Sequence, residues 1–191
     1  AEDEKPFKLE AGFTSLFDGK SFDGWKVSEK PETFVIEDGA IVAKGTRAHC
    51  FYVGSFKDAK FKNFELRADV MTKPGSNGGI FISTAFQDTG WPEKGYEVQV
   101  NNSHTDWKRS GSLYNTVDVK EGFEDDKWMA YDIKVEGGKI SITINGKEIL
   151  KDYLPEEGKS KLLPDGGTIA LQAHDPKSVV FYKNIRIKSL D

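Results

Sequence analysis

The chain has 191 residues, 37% of them hydrophobic and 30% charged, which suits one soluble domain able to bury its own core. Its net charge of −4, with no basic cluster, argues against a partner that is a nucleic acid or an anionic membrane. No apolar run approaches the roughly 20 residues of a membrane span, and Cys50, the single cysteine, excludes an intramolecular disulfide and a cysteine-based zinc site.

Ala1 to Glu10 is polar and charged and lacks an initiating Met, like an exported protein after removal of its signal peptide. A periplasmic or extracellular location is therefore expected, with residues 1–12 as a flexible lead-in and 13–191 as one domain. Thr14 to Lys20 and Phe22 to Val27 are short apolar pieces punctuated by Asp-Gly turns. Asp38-Gly39 predicts a hairpin between Thr33–Glu37 and Ala40–Ala43, and Cys50 to Val53 reads as another short strand. Asn63 to Met71 alternates, with Phe64, Leu66, Ala68 and Val70 on one face. A turn at Pro74 to Gly79 then leads into Ile80 to Ser83.

After a long loop carrying Trp91 comes Tyr96 to Asn101. Tyr96, Val98 and Val100 alternate there with Glu97, Gln99 and Asn101. Three successive outward positions thus hold a carboxylate and two amides, groups suited to a polyhydroxylated ligand. A polar loop from Asn102 to Ser110, carrying Trp107, precedes Gly111 to Tyr114. Met129–Val135 and Lys139–Ile144 predict a hairpin, and Asn145-Gly146 turns the chain into Lys147–Leu150. Residues 151–166 read as a loop with one short helical turn. Thr168 to His174 repeats the earlier stripe, with Gln172 and His174 facing outward, and Val179 to Ile187 closes the chain. About a dozen short strands without a long 3.6-residue period predict two packed antiparallel sheets, an all-β sandwich or jelly roll.

Each chemical candidate has a plain alternative. Glu97 is either solvated strand surface or a catalytic carboxyl, and His174 either caps a turn before Asp175-Pro176 or supplies acid–base chemistry. Trp91 and Trp107 are sugar-stacking platforms or loop anchors; Trp25 and Trp128 read as core. Asn77-Gly78-Gly79 reads equally as a tight turn. His49 and His104 sit in polar contexts without ligand spacing, so no cofactor is expected, while loop carboxylates such as Asp106 and Asp118 leave a structural Ca²⁺ open. No Gly-x-Ser-x-Gly elbow is present, and the Glu97 strand has amides where a second glycosidase carboxylate would belong.

Leu16-Phe17-Asp18-Gly19-Lys20 followed by Asp23-Gly24-Trp25 resembles the opening of the 3-keto-disaccharide hydrolase domain family. Asn77-Gly78-Gly79-Ile80, Tyr96-Glu97-Val98-Gln99 and Gly111-Ser112-Leu113-Tyr114 are similar to its later tags. Trp128, Asn145-Gly146, Leu171-Gln172-x-His174 and Val180-Phe181-x-x-Asn184-Ile185 complete the order, from about residue 13 to 188. Gly78, where the family commonly has Ser, and Met129, where it often has Asn, are departures.

The resemblance implies a concanavalin-like β-sandwich or jelly roll, usually exported by bacteria, acting on 3-keto-glycosides. It also implies a route that needs no second nucleophilic carboxylate. A C3 ketone acidifies the C2 hydrogen, a base removes it, the C1 substituent leaves by elimination, and water adds to the enone. On that reading Glu97 or His174 is the base and the other assists the leaving oxygen. Gln99, Gln172 and Asn77 hold hydroxyls or the enolate oxygen, while Tyr114, Trp91 and Trp107 shape the site. A sugar 3-oxidoreductase would be a functional partner. The rivals are a carbohydrate-binding module on the same sandwich, without an acid–base pair, and an interaction domain with a flat apolar patch.

Overall fold

Alternating apolar residues build the longer strands of the larger sheet, and the burial of Phe64–Thr72 follows the period of two expected for a half-buried strand. The structure, a computed structural model, describes residues 5–191. Its strands are β1 (Thr14–Ser15), β2 (Trp25–Val27), β3 (Phe34–Glu37), β4 (Ala40–Lys44), β5 (Ala48–Tyr52), β6 (Phe64–Thr72) and β7 (Asn77–Thr84). They continue as β8 (Tyr96–Asn101), β9 (Met129–Glu136), β10 (Lys139–Ile144), β11 (Lys147–Tyr153), β12 (Thr168–Ala173) and β13 (Val179–Ser189). One antiparallel sheet runs β11-β10-β9-β6-β13-β4-β3 with β1 on β13, and the other runs β2-β5-β12-β7-β8. The fold is the expected all-β sandwich of two antiparallel sheets.

The core lies between the sheets. Leu66, Val70, Tyr131, Ile133 and Tyr182 of the larger sheet meet Cys50, Ile80, Val98 and Leu171 of the smaller. Two tyrosines cross this apolar layer with their hydroxyls. Tyr131 donates to the Gln99 carbonyl at 2.8 Å, and Tyr182 donates to the Gln172 carbonyl at 3.0 Å while accepting the Gly79 N–H at 3.1 Å. The larger sheet therefore pins the backbone of β7, β8 and β12 from behind, at Gly79, Gln99 and Gln172, whose own row faces the other way.

Several local expectations are corrected. Of the lead-in, residues 1–4 lie outside the described residues, whereas Glu10 pairs with Arg67 and Arg186 at 3.0 and 2.7 Å. Asn77-Gly78-Gly79 opens β7 instead of forming the turn, which falls at Pro74-Gly75. Gly78 faces inward, where a Cβ would lie 2.6 Å from the Tyr182 hydroxyl. That hydroxyl occupies the space a family-like Ser would need. No helical turn forms in residues 151–166; the short 3₁₀ turns are Pro31–Thr33 and Phe56–Ala59. Trp25 is core, its Nε1 donating to the Leu16 carbonyl at 2.8 Å, but Trp128 is only half-buried, edge-on to Phe181.

Candidate functional site

Register decides what shares the outer face of the smaller sheet. His49, Gln172, Gly79 and Gln99 stand opposite one another across β5, β12, β7 and β8. The adjacent row is Phe51, Ala170, Phe81 and Glu97. A polar row thus lies against an apolar one, and loops turn the face into a cleft of about 430 Å³, within the ordinary range for a small-molecule site. Glu97, Gln99, Asn77, Gln172, His174, Tyr114 and Trp91 all line it. Trp107 does not: it is 50% exposed outside the cleft, with Lys108 and Lys120 near its ring.

Glu97 leans over β7 because position 79 is glycine; a Cβ there would come within 2.7 Å of Glu97 Oε2. Oε2 is buried without a hydrogen-bond partner. Burial pushes the carboxyl up to about 8; the Gln172 amide opposes this, Asp106 adds to it and Lys108 opposes it. Glu97 is therefore a neutral acid at pH 7, not a solvated carboxylate.

His174 sits at the other side of the cleft. Its Nδ1 donates to Asp175 Oδ2 at 2.8 Å, which fixes the tautomer and leaves Nε2 as the basic nitrogen. Partial burial pushes Asp175 up, but the bonds from His174, Ser178 and the Lys177 N–H outweigh it and hold the carboxyl below its ordinary range. The Trp91 ring lies 5.3 Å from the His174 ring and 5.7 Å from that of His49.

The loop after β8 brings further groups. Asn101, expected to face a ligand, is spent on this loop: its Nδ2 donates to the Asp106 and Lys108 carbonyls, and its Oδ1 accepts from the His104 N–H and from Arg109. Asp106 consequently lines the cleft and accepts the Tyr114 hydroxyl at 3.2 Å. Burial, with Asp106 beside it, pushes that phenol up to about 12. Gln99 donates from Nε2 to the Lys108 carbonyl, whereas its Oε1 and the Oδ1 of Asn77 are buried and unpartnered. Both amides therefore offer acceptors, which suits ligand hydroxyls and does not suit an enolate oxygen. Lys161 is the cation on the cleft wall.

Among the described residues, His104, His174 and Asp175 are the group close enough to share a metal ion, within 4.8 Å of one another; Asp106 and Asp118 are not part of it. The hydrogen bonding disfavours a metal there. His104 Nδ1 accepts the Asp106 N–H at 3.0 Å, so its proton sits on Nε2, 3.5 Å from Asp175 Oδ2. A ligating histidine donates from its second nitrogen instead. The trio reads as two imidazoles sharing one carboxylate.

Sequence reasoning thus found the strand-borne groups and missed Asp106 and Lys161 as cleft residues, together with His49, His104 and Asp175, which hold or adjoin groups that line it. His49 lies in a strand buried on both faces, so alternation gave no sign of it. The others arrive on loops whose path no periodicity reports.

The match to known proteins covers the same span. Residues 12–188 match the family model described as the 3-keto-alpha-glucoside-1,2-lyase-like domain. A 3-keto-disaccharide hydrolase of Bacteroides thetaiotaomicron is 27% identical, over 94% of this chain and 79% of its own. Among solved structures, a candidate glycosyl hydrolase of Parabacteroides distasonis superposes with a TM-score of 0.73 at 24% identity, covering 94% of each chain. A carbohydrate-binding module of Bacillus subtilis gives 0.64 at 13% identity, over 87% of this chain and 96% of that one, and shares the fold alone. With nearly its whole length matched, the chain belongs to the 3-keto-alpha-glucoside-1,2-lyase-like domain family, the 3-keto-disaccharide hydrolase family.

Proposed function

We propose that this protein cleaves 3-keto-glycosides by elimination and rehydration, with His174 as base and Glu97 as acid. The observation that carries the assignment is the meeting of two groups on one cleft: a buried neutral carboxyl and an imidazole whose Nδ1 is tied to a carboxylate. His174 Nε2 takes the C2 proton, and the electron pair of that C–H bond moves into the enolate at the C3 oxygen. The enolate then reforms the ketone, expels the C1 oxygen, and Glu97 gives that oxygen its proton. Water adds to the resulting C1–C2 double bond, losing a proton to Glu97 at C1 while His174 returns one to C2. Both groups end as they began.

Asn77 Oδ1 and Gln99 Oε1 accept sugar hydroxyls, and the Lys161 ammonium offsets the enolate charge. Trp91 supplies the stacking face. Such a substrate has to be made by oxidation of a sugar at C3, the work of a sugar 3-oxidoreductase. The test is to incubate the protein with a 3-keto-disaccharide and with its unoxidised parent, and to follow the released sugar in D₂O. Release from the keto form alone, with deuterium at C2, is the expected result. Release from the parent overturns the elimination route, and saturable binding without release favours the binding-module reading.

A further inference from the structure

We propose that His49 is a positioning residue that acts through Gln172, its Nε2–H holding the Gln172 amide so that the N–H edge of that amide is turned toward Glu97. The inference deepens the reading of Glu97 as the acid and rests on it.

The hydrogen bonds determine the tautomer. The Gly78 carbonyl can only accept, and Gln172 Nε2 donates to it at 3.2 Å. The nitrogen edge of the amide is therefore on the β7 and β8 side, and Oε1 faces β5. There His49 Nε2 lies 3.2 Å from Oε1. Since that oxygen cannot donate, the imidazole does, with its proton on Nε2 and a bare lone pair on Nδ1. Nδ1 is the buried ring nitrogen without a partner. The other neutral tautomer would present a lone pair to Oε1. It would drive the amide to flip, setting its carbonyl against Gly78 O and turning its N–H edge away from Glu97.

The surroundings hold the ring in this role. His49 is 0% exposed, edge-on to Phe81 at 5.3 Å and to Trp91 at 5.7 Å. It does not line the cleft, and its one side-chain hydrogen bond is to Gln172, the route by which it acts on Glu97. Glu29, Arg47 and His174 are the charged or titratable groups that face it; Asp106, Lys108 and Tyr114 face Glu97, with Lys161 on the same cleft wall. Burial pushes His49 down to about 4, so it stays a neutral donor through the neutral range.

The test titrates the Glu97 carboxyl by carbon-13 NMR in the wild type, His49→Phe and His49→Gln, the resonance being assigned by its loss in Glu97→Gln. Phe fits the aromatic box but cannot donate, so the freed Gln172 withdraws from Glu97. The Glu97 midpoint then rises by about one pH unit, the size of one hydrogen bond's preference for the charged form. Gln places an amide N–H near the former Nε2–H and restores the midpoint. With a 3-keto-disaccharide, kcat falls about tenfold in His49→Phe with little change in KM, and recovers in His49→Gln. An unmoved midpoint in folded His49→Phe overturns the proposal, because a mere space-filler would leave it in place. If His49→Phe does not fold, nitrogen-15 histidine spectra of the wild type decide. The neutral Nε2–H tautomer persisting down to about pH 5 supports the proposal, and Nδ1–H or protonation in the ordinary histidine range overturns it. A protein that cleaves no 3-keto-glycoside would sink the proposed function, while these titrations would still decide the role of His49.

Discussion

Glu97 occupies a strand position whose alternation says outward, and outward usually means wet. Here the outward face is the floor of a cleft, and Phe81 stands directly opposite Glu97 on β7. The carboxyl therefore keeps its proton to about pH 8. Glu97→Gln keeps the shape and loses the transferable proton; turnover should fall by about 10²- to 10⁴-fold with folding and ligand binding retained. Steady-state kinetics beside a thermal melt checks this, and unchanged turnover removes Glu97 from the chemistry. In the wild type, kcat/KM should fall as pH rises through about 8, where the acid is lost. The two loop tryptophans, equivalent in sequence, separate here. Trp91→Ala should raise KM about tenfold or more by removing a stacking face, whereas Trp107→Ala, outside the cleft, should leave it unchanged. Equal effects on KM would mean that substrate reaches beyond the cleft.

At the scale of the element, β7 puts two adjacent glycines to opposite uses. A Cβ on Gly79 would press on Glu97 Oε2 at 2.7 Å, while one on Gly78 would press on the Tyr182 hydroxyl at 2.6 Å in the core. Gly79→Ala should displace the acid and lower kcat without loss of stability, since alanine in a strand otherwise limits the unfolded chain. Gly78→Ala should instead cost about 1–3 kcal/mol by overpacking, read from urea unfolding. If both variants lose stability alike, Gly79 serves packing and not the site. These strands were legible because alternation and Asp-Gly or Asn-Gly turns act locally: the hairpins at Asp38-Gly39 and Asn145-Gly146 form as expected. The outward stripe of Glu97, Gln99 and Gln172 followed from the same period. Asp106, His104 and Lys161 were not legible, because their loops are placed by tertiary bonds such as those of Asn101. Nor was the inward demand on Gly78, which depends on a tyrosine in the opposite sheet.

Across the whole molecule, the groups with large shifts act on stability in opposite directions. Glu97 is raised from 4.5 to about 8 by burial, so between those values the unfolded chain releases a proton that the folded chain keeps, and stability falls as pH rises. His49 is lowered from 6.5 to about 4 by burial, so the unfolded chain takes up a proton first, and stability falls as pH drops through that window. Glu10, held down at about 2 chiefly by its bond to Arg186, contributes stability above 4.5 that is lost as pH falls toward 2. Where the first two windows overlap, from 4.5 to 6.5, their slopes cancel. From 6.5 to about 8 the Glu97 slope stands alone among the three, and one proton over that span is worth about 2 kcal/mol at most. Asp132, raised from 3.8 to about 6 by burial and by Glu65 beside it, adds a further fall as pH rises between those values, so the stretch of the urea-unfolding profile that reports Glu97 is the fall from 6.5 to about 8. Glu97→Gln should abolish the alkaline fall and become more stable than the wild type near pH 8. His49→Phe should extend that fall down toward 4.5 by removing the opposing slope. Parallel wild-type and Glu97→Gln curves above pH 6.5 would mean that Glu97 is ionised in the folded chain, which would remove the neutral acid from the mechanism.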